Sequence, residues 1–277
     1  MTDSACRQPM ADVLFSRRVS ARFSRASSHY HHANGLQRHV ATRLASESLA
    51  YIEKYVSPSL LEIGCGSGQW MEALSRDGRH MERRFSVCCL TDISSDMVRQ
   101  SRRRLHRLYG RCYHDIVCDG RRLPFNMGFD IIVMTMVLHW LAGFGDVTPV
   151  LTEILSQQLA VGGLLILAFP GVGSLSHFHA LCKQGGGRGS PFSFPDAHTV
   201  DVLLSRYGQC VSSHDERKDE SYAHLKGFLD HIRQWGASVP QPSWVSSMAM
   251  LRFLVSQQDK PFTADWHIHY RLMQKTS

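Results

Sequence analysis

Leu60-Leu61-Glu62-Ile63-Gly64-Cys65-Gly66-Ser67-Gly68-Gln69-Trp70 is the stretch that decides the fold of this 277-residue chain. Leu60 to Ile63 reads as a short buried strand, and it runs into three glycines spaced one residue apart. Gln69 then opens a helix predicted to reach Arg76. Strand, glycine turn and helix in that order hold a nucleotide-like cofactor at the carboxyl end of the first strand of an α/β sheet. Glycine allows the backbone to approach a ligand and to take up angles closed to other residues. The spacing narrows the cofactor. A dinucleotide fingerprint, G-x-G-x-x-G, would need glycine at position 69, which is Gln69; here the glycines stand at 64, 66 and 68, with Glu62 two residues before the first. A glycine triplet can also be only a turn, so the reading depends on the segments downstream of Trp70.

Those segments alternate. A second strand is predicted over Arg84 to Asp92, and Ser94 or Ser95 can cap a helix to about Leu108. Arg111 to Cys118 gives a third strand that ends at Asp119-Gly120, and Phe129 to Met136 a strongly apolar fourth. A helix from Asp146 to Leu159 leads through Gly162-Gly163 into a strand over Leu164 to Phe169. Strands alternating with helices predict an α/β, doubly wound, mostly parallel sheet. Upstream, residues 1 to about 18 read as loosely structured and basic. Val19, Phe23, Ala26 and Tyr30 then form a stripe at helical spacing, and a second helix spans about Gly35 to Tyr55 before Pro58 stops it. Downstream come a glycine-rich loop at 185–189, a helix over Asp196 to Arg206, a possible strand over Gln209 to His214, and helices over Tyr222 to Gln234 and Ser243 to Gln257. The closing Trp266 to Leu272 alternates with period two and reads as an edge or antiparallel strand.

Bulk properties exclude several classes. No apolar run reaches the roughly 20 residues of a membrane span, and the N-terminus, with Asp3, Arg7 and Asp12, lacks the apolar centre of a secretion signal. The eight cysteines form no C-x-x-C pair; Cys65, Cys88, Cys89 and Cys118 fall in or beside core strands and read as buried thiols of a reducing cytoplasm. His177-x-His179, His267-x-His269 and the group His29, His31, His32 have no carboxylate at matching spacing, so no metal site is expected. A net charge of +7 suits an acidic partner. No aromatic-interleaved basic stretch supports nucleic acid.

Chemistry concentrates at the strand ends. Asp92 stands where a carboxylate would accept hydrogen bonds from ribose hydroxyls, although an Asp there can also be only a helix cap. Asp119, before Gly120, resembles the acid that faces an adenine amino group, or is a turn Asp. Glu62 organises the glycine loop, Met97 is an adenine-packing residue or simply core, and His139 and Trp140 line a pocket beyond the fourth strand. Arg99, Arg103 and Arg107 share a helix face with Arg111 nearby, which is either a docking surface or a solvated face.

The glycine pattern resembles motif I of the class I S-adenosylmethionine-dependent methyltransferases. A more specific likeness covers residues 19 to 273. Phe23-Ser24-Arg25-Ala26-Ser27-Ser28-His29-Tyr30 and Ala33-Asn34-Gly35-Leu36-Gln37 resemble the opening of malonyl-acyl-carrier-protein O-methyltransferases of biotin synthesis. So do Leu123-Pro124-Phe125, Leu138-His139-Trp140, Pro170 to Leu175, Leu225-Lys226-Gly227-Phe228 and the closing strand. The chain departs from that family at His139, where glutamine usually precedes the tryptophan, and in its N-terminal extension. The resemblance implies a seven-stranded sheet, an N-terminal helical lid and a helical insert before the last strand. It divides the chain into an extension (1–18), a lid (19–56), a cofactor core (57–170) and a substrate side (171–277). It implies S-adenosylmethionine held by Gln37, Glu62, Gly64, Cys65, Gly66, Gly68, Asp92, Ile93, Met97, Asp119, Gly120 and Met136. Tyr30, His139 and Trp140 would position a malonyl thioester on acyl carrier protein or CoA, and Arg22 and Arg25 would meet the acidic carrier. The free carboxylate of that thioester would be methylated. A different small carboxylic acid would serve the same fold.

Overall fold

The computed structural model describes residues 10–76, 85–109, 113–142, 146–188, 191–237, 239, 244 and 247–276. The strands are β1 (Ser59–Ile63), β2 (Val87–Asp92), β3 (His114–Val117), β4 (Phe129–Thr135), β5 (Leu159–Pro170), β6 (Gly208–Tyr222) and β7 (Phe262–Lys275). They form one sheet in the order β3-β2-β1-β4-β5-β7-β6. β1 to β5 pair in parallel, whereas β7 lies antiparallel to both β5 and β6. The order reverses between β2–β3 on one side of β1 and β4–β5 on the other. Such a switch point opens a crevice at the carboxyl ends of the central strands. Neighbouring residues of the central strands feed opposite faces. Leu60, Ile131 and Val133 join one apolar layer, Leu61, Ile132 and Met134 the other.

The helices are α1 (Met10–Ala33), α2 (Gly35–Ile52), α3 (Gln69–Arg76), α4 (Ser95–Tyr109), α5 (Leu138–Leu141), α6 (Thr148–Glu153), α7 (Ser176–Gln184), α8 (Ala197–Leu204), α9 (Leu225–Gln234) and α10 (Met248–Gln257). α3 has the expected bounds, and α4 is capped by Ser94, whose Oγ accepts the Met97 N–H at 3.3 Å. Other expectations are corrected. The first helix begins at Met10 rather than Val19, so residues 10–18 are not loose but extend it by more than two turns. The helix expected over Asp146 to Leu159 ends as a π-helical turn, Ile154–Gln158, and β5 starts at once at Leu159. Gly162 and Gly163 lie inside that strand, where its register with β4 shifts. The possible strand at Gln209 to His214 is the start of a 15-residue edge strand running through Tyr222, so α9 begins only at Leu225. Its charged sequence, Asp215 to Glu220, suits an edge, where charge blocks pairing with another chain. Ser243, the expected start of the last helix, lies outside the described residues, as do Arg84, Arg111 and the side chains of Arg107, His29, His31 and His32.

Candidate active site

The glycine turn is bent by its sequence and tied down by its neighbours. Gly64, Gly66 and Gly68 all have positive φ, at 71°, 52° and 79°. At Gly64 a Cβ would stand 2.5 Å from Val137 Cγ2, so only glycine fits. At Gly66 a Cβ would meet nothing nearer than Tyr30, at 3.6 Å, so this part of the turn faces open space. Cys65 N–H donates to Thr91 O at 2.9 Å, which anchors the turn to β2. Asp92 completes the clamp: Oδ2 accepts the Gly66 N–H at 3.0 Å and Oδ1 the Ser94 N–H at 2.8 Å. Burial lifts the Asp92 pKa from 3.8 to about 6, against the pull of these amide bonds.

A cavity opens beyond the turn. It brings together Tyr30, Gln37, Gly64, Gly66, Asp92, Ile93, Asp119, Gly120, Met136, His139 and Trp140, all foreseen as site residues. Glu62, Cys65, Gly68 and Met97 do not line it. Met97 is fully buried in the core, and a Cβ on Gly68 would strike Ser101 on α4, 2.8 Å away. Cys65 and Glu62 are buried behind the turn. Glu62 Oε2 has no hydrogen-bond partner, and burial, with the nearby Asp92 charge, raises its pKa from 4.5 to about 8.

Asp119 is more engaged than its turn position suggested. Arg121 donates to it from Nε at 3.0 Å, from NH2 at 2.8 Å and from its backbone N–H at 3.1 Å. Ser16 on α1 adds a fourth bond at 3.1 Å. Burial works to raise the Asp119 pKa, but the Arg121 hydrogen bonds and charge outweigh it and leave it lowered. The carboxylate is therefore ionised and pre-set at this end of the cavity.

Helix α1 roofs the site. Phe15 stacks on Trp140 at 6.5 Å, and Phe23 meets Trp140 edge-on at 5.5 Å and Tyr30 at 6.0 Å. Ser20 donates to Ile93 O at 3.0 Å, and Ser24 bonds Ser94 at 2.8 Å. Trp235, at the C-terminal end of α9, and Trp266 on β7 close the far wall, 6.2 Å apart. Two residues of the lining, Met136 and Leu175, hold positive φ without being glycine, at 54° and 55°. Such backbone strain costs about 1–3 kcal/mol and gathers at functional sites. Polar atoms are left open toward this space: Gln37 Oε1, Thr135 Oγ1 and His139 Nδ1 are buried without partners. Burial lowers the His139 pKa to about 3, so its imidazole is neutral. Arg22 and Arg25 do not line the cavity; they are exposed on the outer side of α1. The α4 arginines are partly committed within the chain: Arg99 to Asp96, Arg102 to Asp115 at 3.5 Å, and Arg104 to Ser67 and Glu72.

Sequence reasoning missed Phe15, Ser16 and Arg121, and the Trp235–Trp266 wall. Phe15 had a signal: it precedes Val19 by one helical turn on the same stripe. Arg121 and the tryptophans had none, since only the folded chain brings them to the cavity.

Residues 61–165 match the family model described as a methyltransferase domain. A malonyl-[acyl-carrier protein] O-methyltransferase of Magnetococcus marinus is 33% identical over 261 residues, covering 91% of this chain and 90% of that protein. A biotin biosynthesis bifunctional protein of Bordetella avium is 28% identical over 260 residues, covering 91% of this chain and 50% of its own length. Among solved structures, the N-methyltransferase NodS of Bradyrhizobium japonicum, in complex with S-adenosyl-L-homocysteine, has the same fold. Its TM-score is 0.51 at 16% identity, over 87% of each chain.

Proposed function

The chain belongs to the malonyl-[acyl-carrier protein] O-methyltransferase family, and from that premise we propose that it methylates the free carboxylate of a malonyl thioester on acyl carrier protein. When bound, S-adenosylmethionine supplies a methyl group on a sulfonium, which a carboxylate oxygen takes up as the carbon–sulfur bond breaks. The residues present fit that donor. The turn at Gly66 is open to the cavity, and Asp92, Asp119 and Ile93 line it; Asp92 would accept the ribose hydroxyls, and Asp119 with Ile93 would face the adenine. Glu62, Cys65 and Gly68 serve from behind, in and beneath the turn, and Met97 is core.

The observation that carries the reading is the aromatic chamber beside the glycine turn, in which His139, its pKa lowered by burial to about 3, is too weak a base to take a proton from an acceptor. A carboxylate acceptor with a pKa near about 4 is already ionised at pH 7, so no proton must be removed. The protein has to align the acceptor and exclude water. Alignment alone can supply about 7–11 kcal/mol. Trp140, held between Phe15 and Phe23, and Tyr30 keep water out. His139 Nδ1 and Gln37 Oε1 are the open polar atoms that would orient the two reactants. We assign 10–56 to the lid, 57–170 to the cofactor core and 171–277 to the substrate side, which moves the lid boundary upstream because α1 runs unbroken through 18 and 19. The Bordetella relative's name supports a place for the product ester in biotin biosynthesis. A cytoplasmic location suits the free buried thiols of Cys65, Cys88 and Cys89.

Incubation with radiolabelled methyl donor and malonyl-carrier, malonyl-CoA or a panel of small carboxylic acids tests the reading. Label in malonyl methyl ester, with the carrier preferred, is expected. Transfer only to another acid would leave the methyltransferase and remove the substrate.

A further inference from the structure

Away from the cavity, the antiparallel pair β6 and β7 at the sheet edge gathers a ligand set that chain spacing does not reveal. His267 and His269 stand two apart on β7 and so share a face. Register pairs His269 with Asp215 of β6, which supplies the carboxylate missing from the His-x-His motif. One donor atom from each of Asp215, His267 and His269 lies within 4.8 Å of the other two. The imidazoles stand 4.3 Å apart, centre to centre. His269 is buried, His267 half-buried and Asp215 exposed.

The hydrogen bonding leaves part of this set open. His269 Nδ1 and Arg271 NH1 both engage Asp215 Oδ1, at 2.8 and 2.7 Å. Asp215 Oδ2 and both ring nitrogens of His267 have no hydrogen-bond partner among the described residues. Arg271 is the opposing charge, but Asp201 already neutralises it through two bonds of 2.6 and 3.0 Å. Asp215, Asp219 and Asp265 share the face with Arg217 and Arg271, so with Asp201 four carboxylates meet two guanidiniums. A cation there would meet a net negative surface.

We propose that Asp215, His267 and His269 form a surface site for one late first-row divalent cation such as zinc, cobalt or nickel, clasping β6 to β7. Two imidazoles and a carboxylate are the donors these ions favour, and three protein ligands leave positions for water. The cation takes His269 at Nδ1 by displacing the hydrogen bond between that atom and Asp215 Oδ1, and the ring's proton moves from Nδ1 to Nε2. The separations close to coordination distance by side-chain rotation, since His267 and Asp215 are not packed in the core. Trp266 points to the opposite face, into the cavity, so the site is a clasp on the wall behind the active site and takes no part in the reaction.

The test uses the full chain, stripped with chelator and titrated with cobalt(II) chloride. Saturable binding at one equivalent is expected, with visible d–d bands and without a thiolate charge-transfer band. Affinity should fall at least tenfold in His267→Gln and in Asp215→Asn, both exposed enough to fold normally. Zinc should raise the melting temperature of the unaltered protein and not of either variant. Undiminished cobalt binding by the double variant, a thiolate band, or no saturable binding would each overturn the proposal.

Discussion

Asp92→Ala separates two duties of one carboxylate. In the fold, Asp92 accepts the Gly66 and Ser94 amides at 3.0 and 2.8 Å. Leaving those amides without an acceptor costs about 1–3 kcal/mol each. The charge works the other way. Burial lifts the Asp92 pKa from 3.8 to about 6, and at about 1.4 kcal/mol per unit the ionised form costs the fold up to roughly 3 kcal/mol. The folded state holds this proton more tightly than the unfolded chain does. Its contribution to stability is therefore present below pH 4 and lost as pH rises through about 6. The two effects nearly cancel at pH 7.5, so the variant should melt close to the unaltered protein there and well below it at pH 4. Cofactor binding has no such compensation. Loss of charge-assisted bonds to the ribose should weaken it by about 1–3 kcal/mol, or roughly 5- to 150-fold. Calorimetry with S-adenosylhomocysteine at pH 7.5, on variant shown folded by circular dichroism, measures this. Unchanged affinity would remove Asp92 from the cofactor site, and a collapse in melting temperature at pH 7.5 would refute the cancellation.

Removing residues 1–14 should preserve methyl transfer within a few-fold, because Phe15 is the first described side chain in the cavity. Removing 1–34 should abolish turnover while the sheet stays folded, and a fully active 35–277 fragment would refute the lid. Glu62→Gln relieves a buried carboxyl whose pKa is raised from 4.5 to about 8; the unaltered protein should lose stability as pH rises across that interval and the variant should not. At pH 8.5 the difference should be about 2–5 kcal/mol in favour of the variant, and urea melts showing no gain would refute it. Arg22→Glu with Arg25→Glu should lower kcat/KM for malonyl-carrier several-fold and flatten its steep fall with salt, leaving malonyl-CoA turnover little changed. If reversal there and at Arg99 with Arg103 both leave the carrier reaction unchanged, the carrier docks elsewhere.

The chain's spacing alone determined the glycine turn, the alternation of strands and helices, and the acids at the ends of β2 and β3. These are local. A left-handed turn needs glycine at 64 and 66, and Asp92 bonds a turn only 26 residues away. The lid stripe was legible for the same reason, since helical period places Val19, Phe23 and Tyr30 on one side. Only the tertiary structure decided which neighbours face the ligand. Gly64 and Gly66 line the cavity, while Cys65 turns into the core and Gly68 packs against Ser101 of α4. It also decided the roof and far wall. Ser16 reaches Asp119 across 103 residues, and Trp235 meets Trp266 from separate elements. The carboxylate beside His269 came likewise from strand register, 54 residues away. Backbone geometry is set by a few adjacent side chains and can be read from them. Contacts between distant segments depend on how whole elements pack and register, and no short stretch of sequence carries that information.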